Sequence, residues 1–207
     1  MQRRLIFAIC VAAALWFYMF SPWTGNLTNF WVNMSIAAVI LSSMAIPWSH
    51  YRPSRPQLKN ACIQLLLGIA IAFALWGIFW IGDKLSQMMF SFARPQVDNV
   101  YAMKDGSNAT IIAILLLFLI GPAEEFFWRG YVQKSMSEKS GANAALVVTT
   151  LVYGLVHIWS FNFMLVMAAL VAGSVWGIIY RIRPALLPAL IVSHALWDAL
   201  VFVILPV

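Results

Sequence analysis

Apolar residues along the chain fall into seven long runs, at about 4–20, 30–48, 61–82, 110–130, 144–160, 161–180 and 185–206. Each approaches the ~20 residues a helix needs to cross the hydrocarbon core of a bilayer. None alternates with period two over the length of a strand, which argues against a β-barrel. The pattern predicts an all-α integral membrane protein, a bundle of about seven transmembrane helices forming one multi-pass domain over residues 1–207. Internal repeats and low-complexity tracts are absent from the sequence.

Composition agrees with the pattern. Of 207 residues, 63% are hydrophobic and only 10% charged, and the mean hydropathy of +0.85 excludes a water-soluble domain. The opening MQRRLIFAICVAAALWFYMF has the basic flank of a secretion signal but no convincing small-residue cleavage site, and is read as a retained first helix. Cys10 and Cys62 fall in apolar runs, where small buried side chains are expected and a disulfide is not. The longest connection, about 83–109, contains Leu85–Phe92, which is expected to lie as a short helix in the interface.

Charge then sets orientation, because Lys and Arg are retained on the cytoplasmic side. With seven spans and the N-terminus inside, Arg3, Arg4, Arg52, Arg55, Lys59, Arg129, Lys134, Lys139, Arg181 and Arg183 fall inside, and Lys84, Arg94 and Lys104 outside. The 10-to-3 division of the 13 basic residues predicts a cell-membrane protein with a cytoplasmic N-terminus and an external C-terminus. The net charge of +6 suits anionic headgroups of the lipid bilayer, and no nucleic-acid partner is needed to explain it.

The ionisable residues are unevenly placed. Asp83, Asp98, Asp105, Glu138 and His50 are assigned to connections, whereas Glu124, Glu125, His157, His194 and Asp198 lie in or at the ends of the last four runs. Intramembrane ionisable groups are costly and are functional candidates by default. Glu125 and Arg129 are four apart with the acid first, the favourable order for an ion pair on one helical face. Glu124 is turned about 100° from Glu125, so it points elsewhere. His194 and Asp198 also share a face, and His157 comes from a further helix. Three helices converging on Glu124, His157, His194 and Asp198 make a site of the kind bundles build from facing helices. Counting residues places His157 and His194 near mid-bilayer; Glu124 reaches that depth only if its helix continues past Gly130 to about Ser135.

An acid and a histidine sharing a water can deprotonate it for attack on a carbonyl, while a second histidine with a partner holds the oxyanion. H-E-x-x-H, G-x-S-G and G-x-G-D motifs are missing, which leaves the glutamate as the candidate base. Each histidine alone reads as a satisfied core residue; together the three motifs point to chemistry. Trp128, Trp159, Trp176 and Trp197 read as packing or interface residues, and Gly173 and Gly177 as a close helix contact rather than a dimer seam.

Glu124-Glu125-x-x-x-Arg129, Tyr153-x-x-x-His157 and His194-x-x-x-Asp198, in order and each on its own run, resemble the three motifs of the CAAX protease and bacteriocin-processing (CPBP, or Abi) family over about 110–200. The resemblance implies a multi-pass intramembrane endopeptidase acting on a membrane-associated peptide or protein. By position, Glu124 would be the general base on water, assisted by His157, with His194 and Asp198 at the oxyanion and Glu125 and Arg129 bracing the site. It favours a metal-free mechanism with no cofactor. Zinc stays open, with Glu124, His157, His194 and Asp198 as the ligands it would use. Two positions depart from the pattern. Tyr153 stands where Phe is usual, and Asp198 stands where the prenyl-processing members carry Asn, so that it donates to an oxyanion only when protonated.

Two rival classes remain beside the peptidase. One is a proton-coupled transporter, disfavoured by the short chain and the missing repeats; the other is a non-catalytic immunity or scaffold protein on the same fold. The chain is similar to compact bacterial-type relatives, which are linked to peptide maturation, bacteriocin immunity and membrane signalling. The sequence names no substrate.

Overall fold

A computed structural model describes residues 2–49 and 58–207. His50, Arg52 and Arg55, assigned above to the first inner connection, lie outside the described residues. The described residues are helical throughout their regular structure, with no strand among them. Among the described residues, seven helices are long and apolar enough to cross a membrane. They are α1 (Gln2–Phe20), α2 (Phe30–Trp48), α3 (Leu58–Met89), α5 (Ala109–Ser140), α6 (Ala142–Ser160), α7 (Phe163–Ile182) and α8 (Pro184–Ile204); α4 (Ala93–Tyr101) is a short helix in the connection between α3 and α5. Asn29, Asn108 and Asn162 cap α2, α5 and α7 by accepting from backbone N–H groups of the first turn.

The bundle has a largely apolar interior that encloses a group of charged and polar residues, and its flanks are apolar as well. Ile6, Phe7, Leu66 and Phe118 are exposed on its flanks, where apolar side chains suit lipid. Glu124, Glu125, Arg129, Gln133, His157, His194 and Asp198 are all buried. α8 is the most enclosed span, packed along α3 on one side and α5 on the other, while α6 and α7 pair with each other and α1 meets the last turn of α6. Arg4 over the Trp48 ring, Lys134 on the Ser49 carbonyl and Arg181 on Asn143 mark one end of the bundle. Lys104 on the Phe202 carbonyl and Arg94 on that of Val207 mark the other.

Several expectations change. α3 continues through Asp83 to Met89, because Asp-Lys-Leu-Ser-Gln-Met-Met contains no breaker and Gln87 donates to Asp83 one turn earlier, at 2.5 Å. Asp83 is therefore a buried helical residue, with Lys84 at 3.6 Å and Arg94 at 3.9 Å, rather than a connection residue. The short helix is consequently Ala93–Tyr101, not Leu85–Phe92. Arg129 does not belong with the inner loops, since it is buried inside α5. Cys10 and Cys62 are free, as expected, but lie on the exposed flanks rather than in the core.

Close backbone approach fixes the α5–α8 contact. A Cβ at Gly121 would sit 2.6 Å from Cα and 2.8 Å from N of Ala195, the residue after His194. Those atoms are backbone and cannot swing aside, so Gly121→Ala should lower stability by about 1–3 kcal/mol through overpacking. A Cβ at Gly77 meets nothing within 4 Å, and Gly77→Ala should be neutral or slightly stabilising because alanine favours the helix. Thermal melts of the two variants in the same detergent check the contrast. Gly173 and Gly177 make a close contact within the chain, where a Cβ would meet Tyr153 and Leu146 respectively, both on α6, at 2.8 Å.

Candidate active site

Helix α5 carries the acids. It continues well past Gly130 to Ser140, as the depth of Glu124 required, and places Glu124 near its midpoint. Glu124 and Glu125 end a regular stretch between two wider π-type stretches, Leu116–Ile120 and Phe126–Gln133. Such widened turns often accompany functional sites.

The Glu125–Arg129 pair is present and fully enclosed, with Nη1 3.0 Å from Oε2 and side chains 0% and 1% exposed. Arg129 also donates through Nη2 to the Gly173 carbonyl at 3.0 Å. Its guanidinium carbon lies 5.0 Å from the Tyr153 ring centroid and 5.3 Å from that of Trp176. Glu125 does more than receive Arg129, because the same Oε2 is 3.0 Å from His194 Nδ1. A carboxylate only accepts, so Nδ1 carries a proton. The His194 ring stacks on Trp176 at 4.0 Å and 15°, and Trp176 in turn donates to Ser193 Oγ. His194 Nε2 is left 3.6 Å from Asp198 Oδ2, one turn along α8.

Glu124 faces elsewhere, as its 100° offset requires. It lines a cavity of about 100 Å³ together with Tyr153, His157, His194 and Asp198. Among the described residues, Glu124 Oε2 has no hydrogen-bond partner although it is buried. Glu125 Oε1 is likewise unpaired but does not face the cavity. The four residues singled out in the sequence are thus brought to one enclosure, with Tyr153 beside them. Glu125 and Arg129 stand behind it.

His157 differs from expectation in position and partners. It sits in a 3-10 turn, Val156–Ser160, that ends α6, rather than midway along the span. Its Nδ1 is 2.8 Å from the Tyr153 carbonyl, and its Nε2 accepts the indole N–H of Trp16 at 3.0 Å. Trp16, on α1, was not a sequence candidate. One tryptophan on an apolar helix carries no spacing signal, and its partner is 141 residues away.

His157 offers zinc no free nitrogen, since Nε2 accepts from Trp16 and Nδ1 is bonded to the Tyr153 carbonyl, whereas His194 is held by Glu125 only at Nδ1, which leaves its Nε2 available. Among the described residues no three His, Cys, Asp or Glu side chains are placed to share a metal ion.

Fold and site together define a class, a polytopic membrane protein with acid and histidine side chains enclosed at a cavity inside the bundle. Residues 106–200 match the family model described as type II CAAX prenyl endopeptidase Rce1-like, consistent with the CPBP family. The matched segment holds all three motifs and every cavity-lining residue of α5 to α8 except Phe202, and such a match is consistent with a peptidase. No curated protein and no solved structure matches the chain.

Proposed function

We propose that this protein is an intramembrane glutamate-type endopeptidase that hydrolyses a peptide bond of a membrane-associated substrate. The observation that carries the reading is the buried, unpartnered Oε2 of Glu124 in a residue lining the same cavity as two histidines and an aspartate. A cavity of about 100 Å³ has room for a few groups the size of water, each about 30 Å³. Glu124 takes a proton from water as its oxygen bonds to the carbonyl carbon, and His157 shares that water. His194, carrying a proton on Nε2 as well as on Nδ1, and Asp198 in its acid form donate to the oxyanion. As the tetrahedral intermediate collapses, the C–N bond breaks and the proton held at the site passes to the departing amine. Glu125 orients His194, and Arg129 fixes Glu125. No step needs a metal.

A second cavity of about 510 Å³, almost wholly apolar, adjoins the first and shares Leu165, Ala168, Trp197 and Phe202 with it. It suits an apolar segment of a substrate held next to the scissile bond. The N-terminus is assigned to the cytoplasm on the distribution of Lys and Arg. Processing of a membrane peptide, of the kind linked to maturation or bacteriocin immunity, fits these features. The test compares membrane peptides that accumulate in a Glu124→Ala strain with those of the parent, followed by cleavage of the enriched peptides with purified protein in detergent. Peptides that accumulate only in the variant and are cut only by the parent protein support the reading; identical peptide sets and no cleavage would sink it.

Position 198 separates donation from packing. Asp198 Oδ2 lies beside His194 Nε2 on the cavity wall, and asparagine can donate from the same place. Asp198→Asn should retain most of the turnover, whereas Asp198→Leu should lose ~10²- to 10³-fold, the usual consequence of deleting one oxyanion donor. Equal turnover in the leucine variant would reduce Asp198 to a packing residue.

A further inference from the structure

His157 has no free nitrogen. The Tyr153 carbonyl can only accept, so His157 Nδ1, 2.8 Å away, carries the ring proton. In the neutral ring Nε2 then holds the lone pair, and the indole N–H of Trp16, a donor and nothing else, points at it from 3.0 Å. Protonating Nε2 would set two N–H groups against each other. Trp16 therefore selects one tautomer of His157, excludes its imidazolium and occupies the nitrogen that would otherwise meet water.

The surroundings make this a held arrangement. Trp16 is 1% exposed and meets Trp128 edge-on at 6.3 Å. Phe20, one turn further along α1, is 5.3 Å from the His157 ring, and Phe17 meets Trp159 at 4.9 Å. The last two turns of α1 thus close over the turn that carries His157. Phe20 also lines the small cavity, so α1 forms part of its wall. Trp16, Phe17 and Phe20 lie outside residues 106–200 and belong to no motif.

We infer that Trp16 is a positioning residue that latches His157: its indole N–H holds Nε2 in the resting state, and His157 acts only when that bond is exchanged for one to water. The inference rests on the peptidase reading for what His157 does once released, but not for the latch itself. Movement of the α1 end away from α6 releases the nitrogen. A substrate segment pressing on Phe20 from the cavity supplies a route by which binding promotes that movement.

The test removes the N–H and keeps the ring. Protein with ring-¹⁵N histidine is prepared in nanodiscs as wild type and as Trp16→Phe. The wild type should show a His157 Nε2 resonance typical of a hydrogen-bonded lone pair, shifting toward an unbonded one in the variant. Diethylpyrocarbonate should modify His157 roughly 2- to 10-fold faster in the variant, the range expected for losing one neutral hydrogen bond. His194, held by Glu125, should react at an unchanged rate, and peptide mapping separates the two. Cleavage, measured on peptides identified with the parent protein, should rise by a similar factor. Unchanged Nε2 resonance and modification rate overturn the inference. So does a more than tenfold loss of cleavage with Nε2 freed, since Trp16 would then be needed in the working state. If neither protein cuts any peptide, the peptidase reading fails, while the resonance and the modification rate still decide the latch. Should Trp16→Phe fail to fold, 3-benzothienylalanine at position 16 keeps the shape of tryptophan without its N–H. Failure of that isostere to fold would make the bond a structural one and overturn the latch.

Discussion

Glu124→Gln should lower peptide turnover by ~10²- to 10⁴-fold, the contribution typical of a positioned general base, while the protein still folds and inserts. The side chain keeps its length and volume but can no longer take a proton from water. Little in the fold should notice. Glu124 Oε2 has no partner to strand, in contrast to Glu125, whose Oε2 meets both Arg129 and His194. Glutamine can keep the side-chain hydrogen bond of Glu124 with Tyr153, and removing Glu124 strands no ion-pair partner, whereas removing Glu125 strands both Arg129 and His194. Initial rates with purified variants, alongside thermal melts in the same detergent, separate the two. Folded Glu124→Gln with near-normal turnover would end the assignment of Glu124 as the base and would move attention to Asp198, the other carboxyl on that cavity.

What could be read from the sequence was local or periodic. Spans follow from the length of apolar runs, and the i,i+4 pairs Glu125–Arg129 and His194–Asp198 follow from helical geometry, as does the separation of Glu124 from Glu125. All of these are present. The extension of α5 brings Glu124 level with the other residues, and it runs through Tyr131 to Ser140, a stretch with no Gly or Pro to break it. What escaped depends on helix packing. That one oxygen of Glu125 serves Arg129 and His194 together is decided by how close α5 and α8 come, and Gly121 against the Ala195 backbone sets that distance. Trp16 is visible only once α1 is laid against α6. Asp83 lies within α3 despite the gap in hydropathy there, because an acid enclosed by Lys84, Gln87 and Arg94 can continue a helix. His157 lies nearer the end of its span than residue counting suggests, in the 3-10 turn into which its helix tightens.

Loss of Arg129 should damage the fold more than any other single change at the site. Its guanidinium is 1% exposed, pairs with Glu125 at 3.0 Å, donates to the Gly173 carbonyl at 3.0 Å and lies between the rings of Tyr153 and Trp176. Arg129→Ala leaves a carboxylate shared only with His194, a buried carbonyl without its donor and a void between two aromatic rings. Breaking a buried pair from one side costs about 3–5 kcal/mol, because the remaining charge stays enclosed. At about 2–4 °C per kcal/mol for a chain of this size, the melting temperature should fall by about 6–20 °C. Glu124→Ala, which strands no ion-pair partner, should melt several degrees above it under the same detergent and scan rate. Arg129→Lys should fall between the two, since the charge remains but the fork that reaches Glu125 and Gly173 together is lost. A double-mutant cycle assigns the cause: with Glu125 already changed to Gln, Arg129→Ala should cost much less than it does in the wild type. Equal costs in both backgrounds would mean that Arg129 stabilises the bundle through Gly173 and the two rings, and that the pair with Glu125 contributes little.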